Sequence, residues 1–366
     1  MPYKFLIYIS YSYALPIGNP LEIEIIKRGW TVKWFSDLEE GAQALNQKDN
    51  VLKTIKDVAH YEPHVILAAT NTIPDFINAL KVQIFHGFLT YKRPVNNTEA
   101  HFKIRGFFDL YCTQGPSTTS TFQALSKKLK HFEVIETGWS KVDPLFPIQR
   151  RQKNDIPTIM IASTFTKRLS LAYNNSVLEK IKYLSNSGIF KFIVVLHSKL
   201  TQNICQLWKA LENNNLIFED TTDLIPLFVK TDVMFADTTS AIQEYLLQKK
   251  PVITFKHNVN RPYLIDIDDV EHIEEALFEA LKYPPELLQK IEEFITNLHP
   301  YQDGKSSSRV IDACVKMLNQ DNSFLKAKPW NLVRKYKIRK RLGSFTLKTY
   351  NKPYTLNINQ KKQLCQ

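Results

Sequence analysis

Residues 223–255 read DLIPLFVKTDVMFADTTSAIQEYLLQKKPVITF, and the order in which this stretch changes character decides the fold class. It predicts a helix, a strand, a hydroxyl-rich turn, a second helix and a second strand. Residues 232–236 (DVMFA) are short and apolar enough for a buried parallel strand. Asp237-Thr238-Thr239-Ser240 then places three hydroxyls where the next helix begins. A helix start exposes backbone N–H groups and the positive end of a dipole, which favour an anion such as a phosphate. The same hydroxyls would serve equally as an ordinary helix cap, so the rest of the chain must decide between the two readings.

At 366 residues the chain is too long for one simple core and suits two domains. No apolar run approaches the roughly 18–20 residues that span a bilayer. The opening FLIYISYSYALPI is broken by Ser, Tyr and Pro and reads as a first strand rather than a leader. Four scattered cysteines (Cys112, Cys205, Cys314, Cys365) show no metal-like spacing and are expected to be reduced thiols of a cytoplasmic protein. The net charge of +12 is carried by the end of the chain. Residues 322–366 hold twelve Lys and Arg and no acid, whereas residues 1–321 are electrically balanced. Such a tail reads as a separate cationic device for an anionic surface.

The first half alternates strand-like segments (residues 4–10, 31–35, 65–69, 82–85, 110–113 and 134–136) with helical patterns. Residues 143–156, DPLFPIQRRQKNDI, form the best linker candidate. A second alternating series follows, with strands at 158–162, 191–196, 216–218, 232–236 and 251–255, then helices near 270–283, 285–297 and 306–318. The pattern predicts an α/β protein of two doubly wound domains, residues 1–148 and 149–320, followed by a basic tail, 321–366. Ligands then sit beyond the carboxyl ends of the strands, in a cleft between the domains. There is no G-x-G-x-x-G and no P-loop, which leaves nicotinamide enzymes and NTPases unsupported.

Two histidines stand at predicted strand ends. His86-Gly87 follows the strand at 82–85, and His197 follows that at 191–196. An imidazole with a pKa near 6.5 suits a general base, although each could simply hydrogen-bond a neighbouring loop. Ser163-Thr164 repeats the hydroxyl theme after residues 158–162. Asp303-Gly304-Lys305-Ser306, with Arg309 one turn on, offers a turn, a helix start and two cations of complementary geometry for phosphate.

In their order and spacing, His86-Gly87, His197, Asp237-Thr238-Thr239-Ser240 and Asp303-Gly304-Lys305-Ser306 with Arg309 resemble the CDP-glycerol glycerophosphotransferase family, the teichoic-acid polymerases and primases. The resemblance covers roughly residues 75–315. It implies a GT-B-like fold of two Rossmann-like domains and transfer of glycerol phosphate from CDP-glycerol to an acceptor hydroxyl with release of CMP. It makes His86 the base, with Gly87 beside it. His197, Thr239 and Ser240 would hold the diphosphate, with Asp237 and Thr238 in the same turn. Asp303, Lys305, Ser306 and Arg309 would add phosphate contacts, and Thr164 would supply a hydroxyl. The chain departs from the family pattern at Thr166, where an Arg is expected, at Phe88-Leu89 after His86-Gly87, and at Gly138-Trp139-Ser140-Lys141-Val142-Asp143, where Tyr-Pro-Arg would follow the glycine.

No acidic cluster stands out, so neither a metal ion nor another cofactor is expected. Expected partners are a CDP-alditol donor, a lipid-linked or saccharide acceptor, and an anionic membrane surface met by the tail, which interleaves Trp330, Tyr336 and Phe345 with cations. Nucleic acid is the competing anion and is not the expected one. The expected location is therefore cytoplasmic, on the inner face of the cell membrane. Two rivals remain: a GT-B glycosyltransferase that uses a nucleotide sugar in surface polysaccharide or capsule synthesis, and a non-catalytic binding protein.

Overall fold

The computed structural model describes residues 2–88, 101–148, 156–257 and 259–356. They form two units: one holds the described residues up to Gly87, those from 101 to Phe146 and those from Leu298 onward, and the other Phe88 and the described residues from Pro147 to Asn297. Each unit contains a six-stranded sheet.

The strands of the first unit are β1 (Lys4–Ile9), β2 (Thr31–Ser36), β3 (Val65–Ala68), β4 (Leu80–Gln83), β5 (Leu110–Thr113) and β6 (Glu133–Glu136), in the order β2-β1-β3-β4-β5-β6. Those of the second are β7 (Thr158–Ser163), β8 (Lys191–Leu196), β9 (Leu216–Phe218), β10 (Val233–Ala236), β11 (Val252–Phe255) and β12 (Ile265–Ile267), in the order β12-β11-β10-β7-β8-β9. All pairings are parallel. Runs such as Val-Ile-Leu-Ala in β3 and Val-Met-Phe-Ala in β10 are buried throughout, as expected of strands covered by helices on both faces. The strand order reverses between β1 and β3 in one unit and between β7 and β10 in the other. Those reversals open crevices at the carboxyl edge, and this is the GT-B-like architecture anticipated from the sequence.

Three local features differ most from the sequence reading. Strand β4 ends at Gln83, because Phe85 has a left-handed backbone (φ 56°), which an extended strand cannot contain. β12 was not anticipated: its Ile-Asp-Ile is short and half polar. The linker candidate starts too early, since Ser140–Leu145 forms a 3-10 turn with Val142 and Asp143 buried. Its residues 149–155 lie outside the described residues.

The largest correction concerns the end of the chain. The helix Ser306–Asn319 belongs to the first unit, not the second. It buries Val310, Ile311, Cys314, Met317 and Leu318, and Arg28 donates to its Asp312 at 2.6 Å and to its Ser308 hydroxyl at 2.7 Å. Nor is the tail a detached cationic device. Lys328 pairs with Asp109, both almost fully buried, and Arg339 and Lys335 converge on Asp75 at 2.6 and 3.4 Å. Arg341 pairs with Asp37, and Ile338 joins the hydrophobic core of this unit. Removing one partner of a buried ion pair costs about 3–5 kcal/mol, so these contacts fasten the described part of the tail to the sheet. Cys112, Cys205 and Cys314 are free thiols; Cys365 lies outside the described residues. Among the described residues no helix is long and apolar enough to cross a membrane.

Candidate active site

In the second unit β7 and β10 are neighbours at the reversal of strand order, and one carboxylate ties their ends together. Asp237, fully buried, accepts hydrogen bonds from the Ser163 hydroxyl at 2.6 Å and from the amides of Thr164 and Leu171, each at 3.0 Å. Burial pushes its carboxyl above the usual range, against the pull of those donors. The sequence reading counts Asp237 and Thr164 among substrate contacts. The structure turns both inward: they are 0 % and 3 % exposed and set the shape of the edge rather than face a ligand.

The three hydroxyls after Asp237 divide differently. Thr238 is buried, and its Oγ1 meets no hydrogen-bond partner among the described residues, an arrangement that costs about 1–3 kcal/mol unless something fills it. Thr239 Oγ1 accepts from the Ala241 amide at 3.5 Å. Ser240 is exposed, and its side chain makes no cap hydrogen bond. Capping therefore does not account for Ser240. The helix that follows, Ala241–Leu246, is only six residues long, so the hydroxyls rather than its dipole are the resource of this turn. One strand away, the half-buried His197 leans on Phe165, ring centroids 4.6 Å apart. Its Nδ1 accepts the Lys199 amide at 3.1 Å, which puts the proton of the neutral ring on Nε2.

In the first unit the chain leaves β4 through Ile84, whose amide donates to the Ala68 carbonyl at 3.0 Å. The left-handed Phe85 then swings His86 out beyond the sheet edge. The surface of His86 is exposed, yet the protein packed around its ring desolvates the cation. Its pKa therefore falls below 6.5, against the opposing hydrogen bond to the Ala69 backbone; His101 and Arg105 add to the fall. A side chain at Gly87 would meet nothing within 4 Å among the described residues, so none of them demands that glycine.

A hydrogen-bonded chain runs from the His86 turn to the Ser306 helix. The Trp139 indole donates to the Phe85 carbonyl at 3.4 Å, and the Trp139 amide donates to His299 Nε2 at 3.0 Å. That nitrogen also lies 3.4 Å from the Ser306 hydroxyl. Burial lowers the His299 pKa to about 4, so the ring is a neutral acceptor at neutral pH. Gly138 must be glycine here: its φ is +78°, and a Cβ would sit 2.4 Å from Ser306 Oγ and 2.9 Å from His299 Nε2. Asp143 closes the start of the helix. It accepts the Ser306 amide at 2.8 Å and the Ser307 amide and hydroxyl at 2.7 and 2.6 Å. The expectation that Ser306 contacts phosphate is corrected accordingly: it is 1 % exposed, and the helix start already holds an anion of its own.

The cations beside it remain available. Lys305 is exposed, and its amide donates to Asp303 at 3.1 Å. Arg309 pairs with Asp303 and lies 4.1 Å over the Tyr301 ring, while its buried Nη1 has no partner among the described residues. The Tyr301 hydroxyl donates to Glu136 at 3.1 Å, which steadies that ring. Asp303 is the ion-pair partner of Arg309. His299, Trp139 and Asp143 were missed as site residues, although Gly138 and Asp143 bracket one of the motif segments and offered the signal.

The family model described as CDP-Glycerol:Poly(glycerophosphate) glycerophosphotransferase matches residues 82–316. No curated relative matches. Among solved structures the chain resembles the wall teichoic acid polymerase TagF, at 14% identity and a TM-score of 0.62 over 86% of this chain and 89% of that one. It also resembles a putative UDP-N-acetylglucosamine 2-epimerase from Listeria monocytogenes, at 15% identity and a TM-score of 0.61 over 88% and 98%. A UDP-GlcNAc 2-epimerase from Neisseria meningitidis follows, at 15% and 0.57 over 86% and 100%. At such identities the likeness is one of fold.

Proposed function

Because the chain belongs to the CDP-glycerol:poly(glycerophosphate) glycerophosphotransferase family, we propose that it moves glycerol phosphate from CDP-glycerol to the hydroxyl of a growing or lipid-linked acceptor, with CMP as the other product. One observation carries the site assignment: His86 is thrown clear of β4 by the left-handed Phe85, beside a glycine that no described residue crowds, with its pKa held below 6.5. A histidine in that state is neutral at pH 7 and can take a proton.

In the proposed step the acceptor oxygen forms a bond to the β-phosphorus of the donor and gives its proton to His86. The bond between that phosphorus and the bridging oxygen breaks, and the electron pair leaves with CMP. Such transfers depend on positioning and charge stabilisation more than on covalent help. We assign the stabilisation to the Nε2–H of His197, the hydroxyls of Thr238, Thr239 and Ser240, and the cations Lys305 and Arg309. The reading calls for no metal ion, and turnover should survive EDTA.

The test is CMP release from CDP-glycerol, set against CDP-ribitol and UDP-sugars. His86→Ala should lower it by about 10²–10⁴-fold while CDP still binds; near wild-type turnover would remove the assignment. The acid limb of kcat/KM should have its midpoint below pH 6.5, since the base must be unprotonated.

We also place the acceptor at an anionic membrane surface. The support is a face of the helix Leu332–Leu342 and its flanks on which Trp330, Leu332, Val333, Tyr336 and Phe345 are exposed among Arg334, Lys337 and Lys340. Leu332→Glu with Val333→Glu should abolish flotation with anionic liposomes and leave soluble turnover intact.

A further inference from the structure

The carboxyl edge of the second unit holds a second cationic feature that the motif residues do not include. Beyond Thr164 the chain turns through Thr166, Lys167 and Arg168 before Leu171 is pinned by Asp237. Together with the end of β11 it lines an open hollow of about 380 Å³, within the size range of small-ligand sites. Lys167, Arg168 and Lys256 line it, and its lining includes no Asp or Glu among the described residues. None of the three cations makes an ion pair among the described residues, whereas Lys180 on the same unit pairs with Glu271 and Glu274.

Aromatic rings hold the charges instead. The Lys167 ammonium lies 5.8 Å over Tyr173, and that of Lys256 lies 5.2 Å over Phe255. Lys256 also keeps a left-handed backbone (φ 54°), held by its amide bond to the Ile267 carbonyl at 2.8 Å. A non-glycine residue seldom keeps that conformation, and here it places a lysine at the ligand edge of the sheet.

An ordinary solvated patch intersperses both signs of charge. Three uncompensated cations around a concavity raise the local concentration of anions, and the pairing of two lysines with one arginine suits a phosphate. We propose that Lys167, Arg168 and Lys256 form a phosphate-binding subsite that engages either the diphosphate of the nucleotide donor or a phosphodiester of the acceptor polymer. The proposal rests on the glycerophosphotransferase reading for the identity of those two sources, but not for the anion site itself.

The experiment uses the full chain, wild type and Arg168→Gln/Lys256→Gln, with Lys209→Gln as a charge control remote from the cavity. Calorimetry measures pyrophosphate and CDP; steady-state kinetics measure KM for CDP-glycerol and for an oligo(glycerol phosphate) acceptor. Loss of the two charge-assisted contacts should weaken the phosphate partner by about tenfold or more, with Lys209→Gln unchanged. A rise in Kd for CDP and pyrophosphate assigns the subsite to the donor, and a rise confined to acceptor KM assigns it to the polymer. If all four constants stay within twofold of wild type, the subsite is refuted. If wild type releases no CMP from CDP-glycerol, the reaction assignment falls, while the pyrophosphate titration still decides the anion site.

Discussion

Two helix starts in this protein look alike in sequence and are opposite in structure. Thr239-Ser240 before Ala241 and Ser306-Ser307 after Lys305 both offer serine-type hydroxyls at the first turn of a helix, and both invite a phosphate. The second is closed. Asp143, far upstream in the sequence, reaches the Ser306 and Ser307 amides at 2.8 and 2.7 Å and occupies the place an anion would take. The first is open: Ser240 is exposed and caps nothing, and the Thr238 hydroxyl beside it is buried with no partner among the described residues. A hydroxyl-rich helix start is thus a structural joint when the fold supplies its carboxylate, and a candidate ligand contact when it does not.

Removing the internal anion breaks the comparison most severely. Asp143→Ala leaves two amides and one hydroxyl without their acceptor in a buried setting. At about 1–3 kcal/mol for each orphaned donor, a loss of about 3–5 kcal/mol in urea unfolding is expected. Asp143→Asn should recover part of it. A loss under about 0.5 kcal/mol, the level of an ordinary surface change, would show that the helix start is not held shut by this residue.

The closed joint should also fail in acid. His299 must be neutral to accept the Trp139 amide, and burial lowers its pKa to about 4 from 6.5. The folded state then binds fewer protons than the unfolded state, so this contribution is complete above pH 6.5 and is lost as pH falls toward 4. The loss approaches about 3 kcal/mol at the acid end. Asp143, whose carboxyl burial raises above 3.8, acts in the opposite sense. Urea midpoints of wild type and His299→Gln between pH 7.5 and 4.5 isolate the histidine. Parallel slopes for the two proteins would exclude it as the titrating group.

These joints explain what was legible beforehand. Eleven of the strands follow from short runs separated by helical periodicity, most of them apolar because a strand buried on both faces advertises itself locally, while β6 and β9 are only partly buried. β12 does not, because Asp266 interrupts its two isoleucines, and β4 was set too late because Phe85 is apolar but left-handed. In the site, His86, His197, Thr239, Ser240, Lys305 and Arg309 were legible as residue types near strand ends and helix starts. The inward roles of Asp237 and Ser306 were not, because their partners Ser163 and Asp143 are far away in sequence. The tail misled for the same reason: Lys328, Lys335 and Arg339 read as free charge until Asp109 and Asp75 come into view.

The smallest effect is expected at the open start, where it is the most informative. Ser240→Ala removes a hydroxyl that is exposed and makes no cap hydrogen bond, so folding stability should move by no more than about 0.5 kcal/mol. A true N-cap serine would cost about 1 kcal/mol on the same change. If the hydroxyl instead meets a donor phosphate, its loss should appear as a rise in KM for CDP-glycerol of about three- to tenfold, the net worth of one hydrogen bond at the solvent edge. The two readings of this turn therefore separate along two axes. A stability loss without a KM change returns Ser240 to the role of cap, and the reverse result makes it a ligand contact. Ser307→Ala at the closed start should show the complementary pattern, since its hydroxyl is committed to Asp143 at 2.6 Å.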